Sequence, residues 1–358
     1  MKRNNIFILS QPVQTGKTTL LQKWISGQPN IGGILTPDEN GARKLLNITT
    51  GKLYDLQLDA HAQGLKIGKF VFDETIFAAG NEMLLQAFSE NRDWIVVDEI
   101  GKLELFQNKG LAASASPIIT HFRGNETRTN LLLVIRDYLL DDAIAHYGLR
   151  QAKILSASFF RGKPHRKLNG IVLCGGNSSR MKTDKAFISY HQKPQYAHVS
   201  GLLTHFCDDV FLSVNERQDQ VLTTEKNKVI DNKAFGDAGP LSGLLSVIES
   251  RPAESMMVAG CDYPYLKRRD LLQLFNERDD ETEAVCFIND ENFAEPLITV
   301  YEACCFIKMK EFYKEGGRSL RQFLHTISTK FIHPKNALCL TSIDCEEKMI
   351  DFKNAARP

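Results

Sequence analysis

Length, composition and charge already limit what this chain can be. Its 358 residues are about twice the ~100 to 200 residues of a typical domain, so the length favours two domains. The 44 Lys and Arg residues against 43 Asp and Glu residues give a net charge of +1, which excludes a global field for capturing nucleic acid or anionic lipid. With 43% hydrophobic and 24% charged residues, the composition is that of a globular protein and excludes a disordered or collagen-like chain.

Neither a membrane segment nor a disulfide framework is indicated. No stretch reaches the ~20 consecutive apolar residues that span a bilayer, and the apolar run after the N-terminus stops at Leu9, too short for a secretory segment. All eight cysteines lie beyond residue 173 without a CxxC pair, which favours buried thiols over disulfides or a zinc site. We therefore expect a cytoplasmic protein with no membrane and no nucleic acid among its partners.

Short apolar strands alternate with amphipathic helical stretches, a pattern that builds parallel sheets covered by helices. The pattern starts once at residues 6–9 and again at residues 170–173, after a basic connector. We therefore predict an α/β fold with two domains, residues 1–160 and residues 169–358, joined by a linker at residues 161–168.

The first strand leads into a predicted phosphate-binding loop. Residues 10–19 read Ser-Gln-Pro-Val-Gln-Thr-Gly-Lys-Thr-Thr, close to the pattern G-x-x-x-x-G-K-[ST]. In that loop the backbone N–H groups cradle phosphate, the Lys reaches the β and γ oxygens, and the Ser/Thr hydroxyl binds Mg²⁺. Gly16, Lys17 and Thr18 hold those positions. Gln11 occupies the position of the first Gly, where a side chain obstructs the backbone geometry, so we expect nucleotide binding more than efficient hydrolysis.

A strand that ends in two carboxylates supports this loop. In residues 94–99, Asp98 is the candidate metal-side acid and Glu99 the candidate base that orients an attacking water. With its continuation, the segment resembles the DEIGK-x-E segment of a small family of P-loop nucleoside triphosphatases of the RecA-like type. The resemblance covers roughly the first 150 residues and implies a P-loop sheet domain of NTPase or regulatory role. The alternative is an inherited fold that no longer binds nucleotide.

A second glycine loop follows the strand at residues 170–173. Its two glycines let backbone amides approach a triphosphate, and Arg180 and Lys185 supply positive charge. The pattern G-G-x-S-x-R-M-x-x-D-K resembles the signature of the MobA-like nucleotidyltransferases, which make molybdenum cofactor dinucleotides from molybdopterin and GTP. The resemblance covers residues 168–358 and implies a Rossmann-like nucleotidyltransferase domain. A turn made for packing alone is the alternative.

Further motifs of that family follow in the expected order. Gly239 and Pro240 open a helix as in G-P-L-x-G, and Asp262 ends an apolar strand as in C-D-x-P. Arg318 and Arg321 are the candidates to meet the pterin phosphate. The nucleotide-binding residues that the resemblance implies are Leu173, Cys174, Gly175, Gly176, Lys185, Asn215, Asp231, Gly239, Pro240 and Asp262.

The resemblance also implies the reaction and its catalytic residues. A phosphate oxygen of molybdopterin attacks the α-phosphorus of GTP and pyrophosphate leaves, so the protein must align and neutralise two anions. Asp262 is expected to hold Mg²⁺, Lys185 to steady the α-phosphate, and Arg180 to hold the outer phosphates.

The predicted function is thus that of a molybdenum cofactor guanylyltransferase with GTP and molybdopterin as substrates. A molybdoenzyme or a cofactor-biosynthesis protein is a further expected partner. Two alternatives stay open at this point: a cytidylyltransferase that uses CTP, and a carrier module that binds nucleotide or pterin without turnover.

Overall fold

The chain folds into two compact units, Met1–His165 and Arg166–Pro358. The computed structural model describes residues 5–12, 15–174, 184–236, 238–343, 347–348 and 352. Each unit has its own sheet of mainly parallel strands with helices in the connections, which confirms the predicted α/β class. Within these ranges, no helix is both long and apolar enough to cross a membrane.

The sheet of the first unit is built from apolar runs that are buried on both faces. Its strands are β1 (Ile6–Gln11), β2 (Ile31–Leu35), β3 (Asp38–Glu39), β4 (Ala42–Asn47), β5 (Leu53–Asp55), β6 (Gln57–Leu58), β7 (Leu65–Ile67), β8 (Phe70–Phe72), β9 (Trp94–Ile100), β10 (Asn130–Arg136) and β11 (Lys153–Ile154). The order is β11-β1-β10-β9-β2-β4-β3, with β5 beside β4. The strands from β11 to β2 are parallel, and β4, β3 and β5 are antiparallel.

Helices cover this sheet, and the first of them begins where the predicted phosphate loop ends. They are α1 (Lys17–Ser26), α2 (Glu74–Ser89), α3 (Ala112–Gly124), α4 (Leu140–Tyr147) and α5 (Ala157–Phe160), with a π-helical turn at Leu103–Gln107 and a 3₁₀ turn at Asp137–Leu139. On α1, Trp24 is buried and packs edge-to-face against Trp94 and Phe160. This packing, together with Leu21, anchors α1 directly after β1.

A small antiparallel insertion between β2 and α2 has no counterpart in the sequence prediction. Its strands β6, β8 and β7 form a separate three-stranded sheet. Strands of two or three residues are too short to show a period-2 hydrophobic pattern, so sequence periodicity does not reveal them.

The second unit has a seven-stranded sheet in the order β14-β13-β12-β15-β17-β16-β18. Its strands are β12 (Leu168–Leu173), β13 (Val210–Val214), β14 (Lys228–Ile230), β15 (Ser255–Gly260), β16 (Ala284–Ile288), β17 (Ala294–Tyr301) and β18 (Thr329–Ile332). Strands β14 to β15 are parallel, whereas β17 runs antiparallel to both of its neighbours. The chain steps outward from β12 to β13 and β14, then returns to place β15 on the other side of β12. Because the strand order reverses here, a crevice forms at the carboxyl ends of β12 and β15. Ligands of open α/β sheets bind in such a crevice.

The helices of the second unit enclose a large apolar core. They are α6 (Gln195–Leu203), α7 (Glu216–Val221), α8 (Pro240–Ser250), α9 (Arg268–Asn276), α10 (Phe306–Lys314) and α11 (Leu320–Leu324), with 3₁₀ turns at Lys185–Phe187, Lys233–Phe235, Ala303–Cys305 and Ala337–Leu340. Helix α8 is buried along Leu241–Ile248 and packs with Ile171 and Val258 of the central strands. The helix N-terminus is thereby held at the carboxyl edge of the sheet.

Candidate functional site

The loop after β1 ends in a glycine whose conformation starts α1. Gly16 has φ +76°, in the left-handed region that glycine enters without a Cβ penalty, and its carbonyl accepts the first helical bond from Leu20 N at 2.9 Å. Lys17 and Thr18 form the first turn of α1. The N–H groups of a first helical turn have no partner within the helix, so they can bind an anion.

The side chains of Lys17 and Thr15 donate hydrogen bonds to other residues of this loop. The Lys17 ammonium donates to the carbonyl oxygens of Gln11 at 2.9 Å and Pro12 at 2.6 Å. Burial lowers the pKa of Lys17, and the charge of Asp98 acts against that shift. The Thr15 hydroxyl donates to Pro12 O at 2.9 Å and to the Gln11 side-chain oxygen at 3.3 Å. The residue that departs from the P-loop pattern is therefore bonded inside the loop itself.

Asp98 is a buried carboxylate at the carboxyl edge of the sheet. Its Oδ2 atom accepts from Thr36 N at 2.9 Å and from Thr36 Oγ1 at 3.1 Å. Burial, followed by the charge of Glu99, raises the pKa of Asp98. A bulge places Asp98 and Glu99 together opposite a single residue of β10, because Val97 pairs with Leu133 and Ile100 with Ile135.

Glu99, the candidate base, is held between two arginines. It has φ +60°, which is uncommon for a residue with a side chain. Its Oε1 atom lies 3.2 Å from Arg43 Nη2 and also accepts from Arg136 Nη2. Arg43 comes from β4 and Arg136 ends β10. Neither arginine was among the residues predicted to form this site.

Glu104, the last acid of the DEIGK-x-E segment, supports the loop between β9 and α3. It is buried, and its carboxylate accepts from Gly101 N at 2.9 Å and from Leu111 N at 3.0 Å. Burial raises the pKa of Glu104. The side chain therefore satisfies two backbone donors of a connecting segment.

The predicted P-loop residues share one cleft of about 890 Å³. This volume falls within the ~300 to 1,000 Å³ of sites that hold small molecules and cofactors. Among its lining residues are all five of the predicted ones: Gly16, Lys17, Thr18, Asp98 and Glu99. Their binding roles stay predictions.

In the second unit, the crevice brings together two of the three predicted catalytic residues. Lys185 Nζ lies 3.1 Å from Asp262 Oδ2, with side chains 18% and 35% exposed. Lys185 opens a 3₁₀ turn capped by Asp184, whose Oδ1 accepts from Ala186 N at 3.0 Å. Arg180, the third catalytic candidate, and the loop glycines Gly175 and Gly176 lie outside the described residues.

Gln218 joins the two ends of the second glycine loop. Its buried Nε2 donates to Cys174 O at 2.8 Å and to Asp184 Oδ2 at 2.8 Å. Asn215 places this side chain through a capping box: Asn215 Oδ1 accepts from Gln218 N at 2.9 Å, and Gln218 Oε1 accepts from Asn215 N at 3.1 Å. The side chain of Asn215, predicted to bind nucleotide, is thus used to cap α7. Gln218 was not among the residues predicted from the sequence, because no local motif marks it.

Replacing Gln218 by Leu should lower kcat/KM for the nucleotide about tenfold. The change removes the hydrogen bonds that Gln218 Nε2 donates to Cys174 O and to Asp184 Oδ2, a loss of about 1.5 kcal/mol. Steady-state kinetics and thermal unfolding of the full chain measure the effect. Asn232→Ala, which removes a cap from the turn Lys233–Phe235, is the control. Equal kcat/KM values for Gln218→Leu and Asn232→Ala would contradict the role of Gln218.

Asp231 directly follows β14 and is bonded to the neighbouring strand β13. Its Oδ1 accepts from Ser213 Oγ at 2.7 Å, and burial raises its pKa. The neighbouring Asn232 instead caps the next turn and donates to Glu249 at 3.0 Å. Of these two adjacent residues, Asp231 is therefore the one that lies beside the central strands.

The two glycines of the G-P-L-x-G segment are needed for different structural reasons. Gly239 has φ +57° and precedes Pro240, the first residue of α8. Gly243 lies so close to β13 that a Cβ atom there would be 2.3 Å from Ser213 Oγ and 3.3 Å from Asp231 Oδ1. The second glycine thus lets α8 approach the Ser213–Asp231 pair.

Two buried thiols lie at the carboxyl ends of the central strands. Leu173 pairs with Gly260, so Cys174 and Cys261 follow neighbouring strand ends. A hydrogen bond with Cys174, followed by burial, raises the pKa of Cys261. In the described ranges the cysteines are free thiols, and all but Cys304 are buried.

The two late arginines differ in what they contact. Arg318 Nη1 donates to Tyr313 O at 2.9 Å and to Gly317 O at 2.8 Å, whereas Arg321 Nε donates to Ala294 O at 2.9 Å. Arg321 also lies near Glu295, a carboxyl whose pKa burial raises. Neither arginine has a hydrogen bond to Asp262 among those of the described residues.

The carboxylates present suit Mg²⁺ better than a metal bound entirely by protein. Among the described residues, no group of three or more His, Cys, Asp or Glu side chains could hold a metal ion. Mg²⁺ needs fewer protein ligands, since one or two carboxylates plus substrate phosphates and waters complete its octahedron. Asp262, partly exposed beside Lys185, fits that pattern.

The family comparisons match each half of the chain separately. Residues 170–330 match the family of MobA-like NTP transferase domains, and residues 5–116 match a family described as NTPase. Each match covers the glycine loop whose motif resembles that family, which confirms the two predicted resemblances.

Individual relatives cover about half of the chain. A Synechocystis protein named molybdenum cofactor biosynthesis bifunctional protein is 28% identical over 181 residues, 50% of this chain and 52% of that protein. A protein of Halalkalibacterium halodurans, named probable molybdenum cofactor guanylyltransferase, is 28% identical over 46% of this chain and 85% of its own length. The structure of molybdopterin-guanine dinucleotide biosynthesis protein A from Archaeoglobus fulgidus covers 52% of this chain and 97% of that one, with 17% identity and a TM-score of 0.45.

Proposed function

We propose that this chain, in which a P-loop NTPase domain precedes a MobA-like NTP transferase domain, transfers GMP from GTP to a molybdopterin and releases pyrophosphate. The proposal rests on the Lys185–Asp262 pair at the crevice between β12 and β15. Relatives named as guanylyltransferases favour GTP as the donor and molybdopterin as the acceptor. We place the protein in the cytoplasm, in keeping with its free thiols.

The proposed chemistry uses positioning and charge. The bond from the acceptor phosphate oxygen to the α-phosphorus forms as the bond to the pyrophosphate oxygen breaks, so no covalent enzyme intermediate is required. The Lys185 ammonium stabilises the negative charge that shifts onto the α-phosphoryl oxygens in the transition state. Its contact with Asp262 fixes the position of that ammonium. Gln218 holds the two ends of the glycine loop, at Cys174 and Asp184, through its two side-chain hydrogen bonds.

Mg²⁺ is the proposed cofactor, held by Asp262. When bound, it neutralises phosphate oxygens and acts as a Lewis acid at the α-phosphoryl group. Asp262 lies two residues beyond the buried strand β15, and its carboxylate contacts Lys185.

One experiment tests this function directly. The protein is incubated with molybdopterin, Mg²⁺ and each of the four nucleoside triphosphates, and products are identified by mass spectrometry. We expect molybdopterin guanine dinucleotide and pyrophosphate in equal amounts. Formation of a cytosine dinucleotide would show that the donor is CTP and not GTP. Saturable nucleotide binding without any product would favour the carrier alternative.

For the first domain we propose binding of a Mg²⁺ nucleoside triphosphate with slow hydrolysis. Gly16, Lys17 and Thr18 would hold the phosphates, with Asp98 on the metal side. The Lys17 contacts with Gln11 O and Pro12 O and the ion pairs of Glu99 with two arginines must rearrange before hydrolysis.

Replacing Gln11 by Gly should raise NTP hydrolysis several-fold without changing GMP transfer. The change removes a side chain that bonds to Thr15 inside the loop, and it restores the first glycine of the P-loop pattern. Phosphate release by the full chain measures hydrolysis. Lys17→Ala is the control and should abolish it. No gain in the Gln11→Gly variant would contradict the obstruction that we assign to Gln11.

A further inference from the structure

The cleft of the first domain continues beyond the phosphate loop, to a short hairpin of the antiparallel insertion. The hairpin joins β7 to β8 through Gly68 and Lys69, since Ile67 pairs with Phe70. All four of these residues line the same cleft as Gly16 and Lys17. A triphosphate on the P-loop uses only part of such a volume, so the nucleoside attached to it needs a place within the rest of the cleft.

The hairpin is fixed at its base and open at its tip. Val71 is buried, and Phe72 packs against Phe77 of α2 with ring centroids 6.1 Å apart. Asp73 N donates to Leu56 O at 2.9 Å and continues this anchoring. At the tip, a Cβ atom on Gly68 would meet nothing within 4 Å. The hairpin thus presents its tip residues from a rigid base.

Phe70 is the chemically distinctive residue of this tip. Its side chain is 42% exposed although it is a large apolar group, and the Lys69 ammonium lies 5.4 Å from the centre of its ring. Exposed aromatic rings flanked by cations are suited to stack on nucleobases, and stacking of this kind tolerates any base.

A second exposed aromatic residue lines the cleft, but its contacts place it beside the acids. Tyr138 is 47% exposed, and its hydroxyl accepts from Arg136 Nη1 at 3.3 Å. Arg136 is paired with Glu99, so Tyr138 belongs to the phosphate end of the cleft. Phe70 is therefore the aromatic residue available to the nucleoside.

We infer that the hairpin joining β7 to β8 is the nucleobase platform of the first domain, with Phe70 stacking on the base of a nucleoside triphosphate whose phosphates lie on the P-loop. The inference rests on the nucleotide binding proposed above for this domain. On this inference, the nucleobase binds to the antiparallel insertion, whereas the phosphates bind to the P-loop of the main sheet.

The test compares a ligand that has a base with one that has none. Isothermal titration of the full chain measures Kd for Mg²⁺-ATP and for Mg²⁺-tripolyphosphate, and only binding that Lys17→Ala removes is assigned to the first domain. We expect Phe70→Ala to raise the Kd for ATP about 5- to 150-fold, the range that follows from ~1 to 3 kcal/mol per stacked base. The Kd for tripolyphosphate should stay unchanged, and Phe70→Trp should retain ATP binding.

Two control variants and three outcomes make the test decisive. Phe106→Ala removes an exposed ring outside the cleft lining and should leave both Kd values unchanged. A selective loss of ATP binding in Tyr138→Ala rather than Phe70→Ala would overturn the assignment to the hairpin. Equal losses for ATP and tripolyphosphate in Phe70→Ala would do the same. Absence of any Lys17-dependent binding would instead remove the proposed nucleotide binding of the whole domain, and this inference with it.

Discussion

Asp262→Asn should lower nucleotidyl transfer by at least about 1,000-fold while GTP affinity changes only a few-fold. The substitution keeps the size of the side chain but removes the charge that would hold Mg²⁺ at the α-phosphate, where stabilisation is worth several kcal/mol in the transition state. The substitution removes an interaction that we expect to be stronger in the transition state than in the ground state, so binding should suffer less than turnover. Rates of dinucleotide formation and Kd values from titration with GTP separate the two effects.

The chain offers a closely matched control for this substitution. Asp219 pairs with Lys228 at 2.5 Å, with side chains 32% and 16% exposed, much as Asp262 pairs with Lys185. Asp219→Asn should therefore leave transfer near its normal rate. Parallel losses of kcat and GTP affinity in Asp262→Asn would show that Asp262 is a binding residue without the proposed metal role.

Lys185→Ala should lower transfer by at least about 100-fold, the usual scale for a positioned electrostatic donor. The ammonium lies next to Asp262, and the Lys185 side chain is only 18% exposed, so solvent cannot replace the charge fully. Single-turnover rates with saturating GTP measure the loss. Lys228→Ala is the control, and a near-normal rate in Lys185→Ala would mean that the D-K match is only structural.

The double variant Lys185→Ala/Asp262→Asn tests whether the two residues act as one unit. Because the groups are in direct contact, their effects should not add, and the double variant should lose little more than Asp262→Asn alone. Strict additivity would indicate two independent roles.

Local sequence patterns predicted the α/β class, the strand that precedes each glycine loop and the acids that end two further strands. These features depend on residues that are adjacent in the chain. A phosphate-binding glycine loop follows a strand, and a buried parallel strand has a continuous run of apolar residues. Lys185 and Asp262 could therefore each be predicted as site residues from the family motif in their own segment. Their 3.1 Å contact was not, since it depends on the return of the chain from β14 to β15 beside β12.

Other contacts could be decided only by the tertiary structure. Gln218 lies 44 residues from Cys174 and 34 from Asp184, and no periodicity or motif connects such positions. Arg43 reaches Glu99 from the antiparallel strand β4, whose sequence Ala-Arg-Lys-Leu-Leu-Asn shows no alternation of apolar and polar residues. The hairpin with Phe70 is hidden from sequence analysis for the same reason. A side chain used for long-range bonding leaves no local pattern, because its partners are set by strand order and by which strand ends meet at one edge of a sheet.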